Sequence, residues 1–207
     1  MTFDWALVQK AIPLLGTGLL TTVKICLLAM LLGIALGGVL GLASLSRWKP
    51  LRWAVMAYVD FIRGTPLLVQ IFLVYYGAGQ FSAELRDWGL WNGFFREAYF
   101  CAVFTLILNT TAYSAEIIRG GIQNVPFGEV EAARACGMSG RLLYRRIILP
   151  KAARIALPAY SNEVVMMLHS TSLASAVPSM LDVTAAASRI YADYYLPFEA
   201  YLGAAAI

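Results

Sequence analysis

Residues 14–45 read LLGTGLLTTVKICLLAMLLGIALGGVLGLASL, an apolar run in which Lys24 is the one charged residue. A helix needs about 20 mostly apolar residues to cross the roughly 30 Å hydrocarbon core of a bilayer, and this run is longer. We therefore expect one transmembrane helix here, either tilted or extended outside the bilayer. Gly33, Gly37 and Gly41 recur every four residues. This spacing predicts a smooth face for close packing against another helix.

The rest of the chain has the same membrane character. Of its 207 residues, 60% are hydrophobic and 14% are charged, whereas soluble domains carry about 25% charged residues. We expect an all-α, polytopic transmembrane bundle of about five spans that forms a single domain, 1–207. The later apolar runs predict spans near 65–81, 98–119 and 154–176, and a last span that starts near 197 and is cut short by the end of the sequence.

The boundary before the second span carries local signals. Residues 53–63 are expected to form an interfacial helix, because aromatic and charged side chains occur at intervals along the segment. Thr65 is expected to cap the following helix and Pro66 to be its first residue.

Loop charges predict the orientation. Segment 46–52 carries three basic and no acidic residues, and segment 119–154 carries seven basic and two acidic ones. Segment 82–97 has two basic and three acidic residues, and segment 177–199 has one and three. Because basic loops stay in the cytoplasm, the first two segments are expected inside, with the N-terminus in the periplasm.

The long segment 120–153 is too polar and helix-prone to be a simple connection. Its residues predict two short helices joined at Gly137, which permits a turn or a close approach. The second helix is expected over about 139–148, ending before Pro150. Two interpretations remain open from the residues alone: a solvated loop with a basic flank, or a compact docking surface for a partner.

The stretch EAARACGMSGRLLYRRIILP, residues 131–150, resembles the EAA loop of ABC-importer permeases. In that family the loop is a coupling helix that fits a groove on a cytoplasmic ATPase. The resemblance implies that 128–150 is a cytoplasmic coupling loop. The positions that match the family pattern are Glu131, Ala132, Ala133, Gly137, Ile147, Leu149 and Pro150.

Further stretches are similar to the polar amino acid uptake permeases. The similarity is greatest to M-type subunits of the histidine, lysine, arginine and ornithine systems, and related opine permeases are similar too. This chain has His169 and Ser170 where most of the wider group carries a Lys-Asp or Lys-Asn pair, and Pro178 where Thr is commoner. These departures leave the substrate open within the family. The matching stretches are 63–77, 109–122 and 160–175.

The resemblance implies a permease subunit of a type I, ATP-driven importer in the bacterial inner membrane. Its cargo would be a polar amino acid such as histidine, arginine, lysine or ornithine, or else another polar amino acid or an opine. The implied partners are a homologous permease or a second copy, two ATPase subunits and a periplasmic binding protein. ATP and Mg would be bound by the ATPase, and this chain would bind no cofactor.

Other functional classes fit the residues less well. The sequence has no GxxxxGK[ST] phosphate loop, and its single His has no neighbouring ligands for a metal. An intramembrane hydrolase is a minor alternative, because no nucleophile elbow is visible. A passive channel is also minor, since it would not require a coupling motif. Nucleic acid is an unexpected partner, because the basic residues fall between spans.

Polar residues inside the predicted spans are candidates for the substrate path, because ionisable groups in hydrocarbon are costly. Asn109, Tyr113 and Glu116 are spaced four and three apart, so they share one face of a helix. Ordinary hydrogen bonding between helices is the alternative, with Glu116 paired to Arg119 one turn later.

The fourth predicted span carries the second group of candidates, Asn162, Glu163 and Ser170. Glu163 is expected near the middle of the bilayer, about nine residues into the span. A carboxylate there suits the cationic group of a basic amino acid, and hydrogen bonding between helices is again the alternative.

Overall fold

The structure, a computed structural model, describes residues 5–177 and 180–206, with side chains from residue 7 onward. Pro178, singled out above, lies outside the described residues. The described chain is helical almost throughout. Its α-helices are α1 Trp5–Ala43, α2 Lys49–Gly64, α3 Leu67–Gln80, α4 Ser82–Asp87, α5 Ala98–Gln123, α6 Phe127–Ala135, α7 Gly140–Leu143, α8 Leu149–Ser170, α9 Val183–Tyr194 and α10 Pro197–Ala205.

The predicted all-α membrane bundle is confirmed. Within α1, Leu7–Ala43 is long and apolar enough to cross a membrane, and so is α5. Helices α2 and α3 together satisfy the same criterion as one span broken by a 104° bend. Helix α8 has 22 residues, but its polar residues keep it outside that criterion. One of these polar residues is the candidate Glu163.

The break between α2 and α3 differs from the prediction. Helix α3 begins at Leu67, and Pro66 occupies the cap position with an extended backbone. The Thr65 hydroxyl donates to the carbonyl of Phe61 at 2.9 Å, so it binds the end of α2 instead of capping α3. The predicted Thr65 cap is therefore wrong. The physical reason is that Pro66 itself has an extended backbone, with ψ 132°, so α3 starts one residue later than predicted and Pro66 takes the cap position.

The second helix of segment 120–153 also differs from the prediction. After α7 the chain makes a π-helical turn, Tyr144–Ile148, and continues directly into α8. The helix therefore does not end before Pro150. A π turn widens the backbone spacing just ahead of the proline, where an α-helix would lack a hydrogen-bond donor and clash with the preceding turn. The predicted span 154–176 is likewise shifted, because a 3₁₀ segment, Thr171–Ala176, follows α8.

Contacts divide the chain into two compact units. The first comprises residues 1–29, 66–107 and 167–207, and the second comprises 30–65 and 108–166. In the first unit, Asp182 caps the start of α9, and its carboxylate accepts a hydrogen bond from the Ala185 amide at 2.9 Å. The apolar core of this unit is formed by Ala11, Leu15, Ala186, Ala187, Ile190 and Ala200.

The second unit contains the predicted small face of α1. A Cβ added to Gly33 would lie 2.5 Å from the Thr110 side chain, and one on Gly41 would lie 2.9 Å from the Ala115 carbonyl. A Cβ on Gly37 would collide with Ser114. All three neighbours belong to α5, so the prediction of close helix packing is confirmed.

Helix α2 completes the core of the second unit. Its buried residues Val55, Val59 and Ile62 pack with Ala112 and Ala115 of α5. Arg52, Asp60 and Arg63, which flank this buried stripe on α2, are exposed.

Candidate functional site

The EAA-like loop forms a small helical subdomain of the second unit. Ala133 is 6% exposed and belongs to a core cluster with Val125, Leu143 and Ile148. Ile147 packs against the same cluster. Ala133 and Ile147 therefore stabilise the loop from inside. The sequence pattern alone does not distinguish such core positions from positions that contact a partner.

The remaining matched positions lie on the surface. Glu131, Ala132, Leu149 and Pro150 are exposed. Gly137 has a φ of +77° and nothing within 4 Å of an added Cβ. Glycine is therefore favoured at this position by the left-handed backbone of the turn, and not by a neighbouring atom that a side chain would touch.

A salt bridge fixes the loop to the start of α8. The Lys151 ammonium lies 2.7 Å from the Glu129 carboxylate, and both side chains are exposed. Next to this pair, Phe127 begins α6 with 68% of its surface exposed. The exposed Phe127 ring thus gives the loop an apolar patch four residues before the first matched position.

Glu116 is held by two arginines. The Arg119 guanidinium donates to its carboxylate from Nε at 2.9 Å and from Nη2 at 2.5 Å. Arg63, at the end of α2, lies 3.8 Å from the same carboxylate and 5.4 Å above the Tyr113 ring. Arg119 also donates to Gln123 at 2.9 Å. The predicted pairing of Glu116 with Arg119 is present, and Arg63 joins it.

Glu163 has a different environment. It is 8% exposed on α8, and no basic side chain in the described ranges lies within ion-pair distance of it. The positive charge of Arg63 acts on Glu163 as well as on Glu116. On the turn before it, the Tyr160 hydroxyl lies 3.4 Å from the Ser114 hydroxyl. Glu163 is thus a buried carboxylate without a close counter-ion in the part of the chain that is described.

The structure brings most of the candidate residues into one unit. Asn109, Tyr113 and Glu116 follow one face of α5, and Glu163 is on α8 of the same unit. Asn162 is exposed, because adjacent helical positions point about 100° apart. Ser170 belongs to the other unit.

The sequence predicts an interfacial helix over 53–63, and the structure places its last residue, Arg63, beside Glu116. Arg63 lies three residues after Asp60, on the same side of α2. This spacing is the sequence signal that Arg63 faces other charges.

Nowhere in 5–177 or 180–206 do three His, Cys, Asp or Glu side chains gather as metal ligands would.

Residues 29–207 match the family of binding-protein-dependent transport system inner membrane components. The chain belongs to this family. It is a membrane-embedded permease and not an enzyme. Such a permease works in a transport complex with another permease, an ATPase and a binding protein, in the inner membrane.

Several named proteins resemble the chain along nearly its whole length. The nopaline transport system permease protein NocM of Agrobacterium fabrum is 46% identical, covering 99% of this chain and 84% of that protein. The histidine/lysine/arginine/ornithine transport system permease protein HisM of Escherichia coli K12 is 46% identical, covering 90% and 79%. A solved structure of an amino acid ABC transporter with histidines matches with a TM-score of 0.87 at 38% identity, covering 100% of this chain and 91% of that chain.

Proposed function

We propose that this chain is the permease subunit of an ATP-driven importer for basic amino acids, such as histidine, arginine, lysine or ornithine. The observation that carries the proposal is the buried Glu163 carboxylate, which has no close counter-ion among the described residues. A buried charge must be compensated by a proton, water or a cation. In a permease for basic amino acids, the cationic group of the cargo is the natural partner.

Arg63 supports the same assignment. An amino acid presents a carboxylate and at least one cationic group, so its path needs both signs of charge. Glu163 supplies a carboxyl group and Arg63 a guanidinium, and both belong to the second unit. Asn109 and Tyr113 add hydrogen-bonding groups along the neighbouring face of α5.

Coupling to ATP hydrolysis is assigned to the loop 128–150. We propose that the exposed positions Glu131 and Ala132 contact the ATPase, and that the buried Ala133 keeps the loop rigid enough to transmit motion. The complex would contain a homologous permease or a second copy, two ATPase subunits and a periplasmic binding protein. ATP and Mg would be held by the ATPase, and the N-terminus of this chain would lie in the periplasm.

Opine import is the second candidate, favoured by the similarity to nopaline and octopine permeases at 42–46% identity. Octopine carries the guanidinium of arginine and an additional carboxylate. A path for it would therefore need a second positive group beside the substrate.

Uptake by the reconstituted complex separates the two candidates. The complex, with its binding protein and ATP, is tested in proteoliposomes with arginine, octopine and citrulline, the neutral analogue of arginine. The proposal predicts ATP-dependent uptake of arginine and little uptake of citrulline. Preference for octopine would favour the second candidate, and equal uptake of citrulline would contradict both.

A further inference from the structure

A separate cavity lies beside the cluster formed by Arg63, Glu116 and Arg119. It is found near the ends of α1 and α5, against α2. It has a volume of about 630 Å³ and is lined by the two residues that follow α1, by residues of α2 between 52 and 60 and by the end of α5. Its charged lining residues are Arg52, Asp60 and Arg119. Cavities of about 300 to 1,000 Å³ are typical of small-molecule sites.

The charges in this cavity are arranged along α2. Arg52, Met56 and Asp60 follow at intervals of four residues, so they share one face of the helix. Arg52 and Asp60 are therefore about 12 Å apart along the helix axis. Both are exposed, and neither forms an ion pair with any residue of the described ranges. The cavity thus has a positive end and a negative end, with an apolar side chain between them.

The third charged residue is already engaged. Arg119 donates to Glu116 and Gln123, and the charge of Asp60 also acts on it. Arg52 and Asp60 are the charged lining residues whose side chains form no hydrogen bond or ion pair within the described ranges. Trp53 and Met56, exposed by 71% and 41%, provide apolar surface beside them. A simple anion would fit poorly, because Asp60 would repel it. A ligand with opposite charges at its two ends fits this lining.

The cavity also leads toward the candidate substrate path. A second, narrow cavity of about 40 Å³ shares Asp60 and Arg119 with it and reaches Glu116. Glu116 in turn lies 3.8 Å from Arg63, whose charge acts on Glu163. The Arg63–Glu116–Arg119 cluster therefore borders the large cavity through Arg119 and the narrow one through Glu116 and Arg119.

We propose that this cavity is a second binding station for the imported basic amino acid. It lies between Arg119 of the Arg63–Glu116–Arg119 cluster and residues 44–45, which follow α1. The α-carboxylate binds Arg52, and the cationic end of the side chain binds Asp60. In extended arginine, six bonds separate the carboxylate carbon from the guanidinium carbon, about 7 to 8 Å. The flexible Arg52 side chain covers the remaining distance. The inference rests on the proposed function, and it adds a place where cargo is held before release.

Binding measurements with three probes test the station. The complete complex in nanodiscs, without binding protein or nucleotide, carries Glu163→Gln so that binding near that carboxylate is weakened. Arginine is compared with citrulline, which lacks the cationic end, and with agmatine, which lacks the carboxylate. We expect saturable arginine binding that is at least about tenfold tighter than binding of either analogue, as expected for loss of one charge-assisted contact.

Second substitutions then assign each end. Asp60→Asn should remove the arginine–citrulline difference and leave the arginine–agmatine difference, and Arg52→Gln should do the reverse. The matched controls are Asp87→Asn and Arg47→Gln, exposed residues that do not line the cavity. Ala57→Trp, at an exposed lining position, should fill the cavity and abolish binding of all three probes without changing thermal stability.

Two results would overturn the station: absence of saturable arginine binding, or analogue ratios in Asp60→Asn and Arg52→Gln that equal those of their controls. The uptake assay distinguishes this failure from failure of the proposed function. If the wild-type complex imports arginine and the cavity variants bind like the controls, the station alone is wrong. If the wild-type complex imports no arginine, the proposed function is wrong.

Discussion

Two carboxylates of the second unit differ in how they are neutralised. Glu116 is shared by Arg119 and Arg63, whereas Glu163 is 8% exposed and has no comparable partner in the described residues. A buried carboxylate of this kind destabilises the fold unless another species compensates it. The two residues should therefore respond oppositely to the same amide substitution.

For transport, Glu163→Gln should lower arginine uptake by the reconstituted complex about 10- to 150-fold, which corresponds to the loss of one charged contact worth about 1.5–3 kcal/mol. Histidine should be affected less than arginine at pH 8, where its imidazole is mostly neutral. Radiolabelled uptake of the two amino acids at that pH measures this. Equal arginine uptake by wild type and variant would remove Glu163 from the path.

For stability, Glu116→Gln should lower the free energy of unfolding by about 1–3 kcal/mol, because it leaves two arginines without their shared carboxylate. Glu163→Gln should leave it unchanged or raise it, because it removes a buried charge. Thermal unfolding of the purified permease, followed by fluorescence, compares the two variants. A larger loss in Glu163→Gln than in Glu116→Gln would mean that Glu163 is an ordinary structural partner.

Among the helices, α1 and α5 illustrate how a sequence spacing becomes a packing surface. The backbone of α5 comes so close to Gly37 that a Cβ there would lie 2.9 Å from the Thr111 carbonyl. At the adjacent Gly38 the nearest atom would be the Ile118 Cδ1 at 3.9 Å. The pattern predicted this face, because small residues are what close helix packing requires.

Gly37→Ala should therefore destabilise the permease by about 1–3 kcal/mol, the typical cost of overpacking. Gly38→Ala is the matched control, and it should be neutral or slightly stabilising, because alanine has the better helix propensity. Thermal unfolding in the same detergent gives both values. If the two variants melt at the same temperature, the close contact of α1 with α5 is wrong.

The coupling loop offers a similar pair of tests. Ala132 is exposed and Ala133 is buried, so Ala132→Phe should abolish ATPase binding and uptake while the permease stays folded. Ala133→Phe should unfold the loop instead. Ala83→Phe, at an exposed position of α4, is the control. Stimulated ATPase activity at the wild-type level in Ala132→Phe would show that this face does not dock the ATPase.

The sequence predicted the helices and the spacing of polar faces, since both depend on local periodicity. The sequence misplaced the start of α3 near Thr65 and a helix end before Pro150. A proline can precede, begin or lie within a helix, and which of these occurs depends on the conformation of the turn before it. Arg63 was missed as a member of the Glu116 cluster for another reason. Its neighbours come from α5, 50 or more residues away, and a single sequence does not reveal such contacts.

For the chain as a membrane protein, the orientation remains a prediction from the basic residues of its loops. The natural cysteines provide a direct test, because Cys136 in the coupling loop is exposed while Cys26 and Cys101 are buried. An impermeant maleimide should label the permease, expressed without its ATPase, in inside-out vesicles and not in spheroplasts. Asp87→Cys, in the opposite loop, should show the reverse. Labelling of Cys136 in spheroplasts would contradict the orientation.

The central claim is that a basic amino acid passes Glu163 in the second unit. A cryo-EM map of the complete transporter with arginine bound tests it most directly. The account predicts density for the arginine side chain with its guanidinium about 3 Å from the Glu163 carboxylate, the distance of a charge-assisted hydrogen bond. Arginine density elsewhere in the membrane, with Glu163 enclosed only by protein side chains, would contradict it.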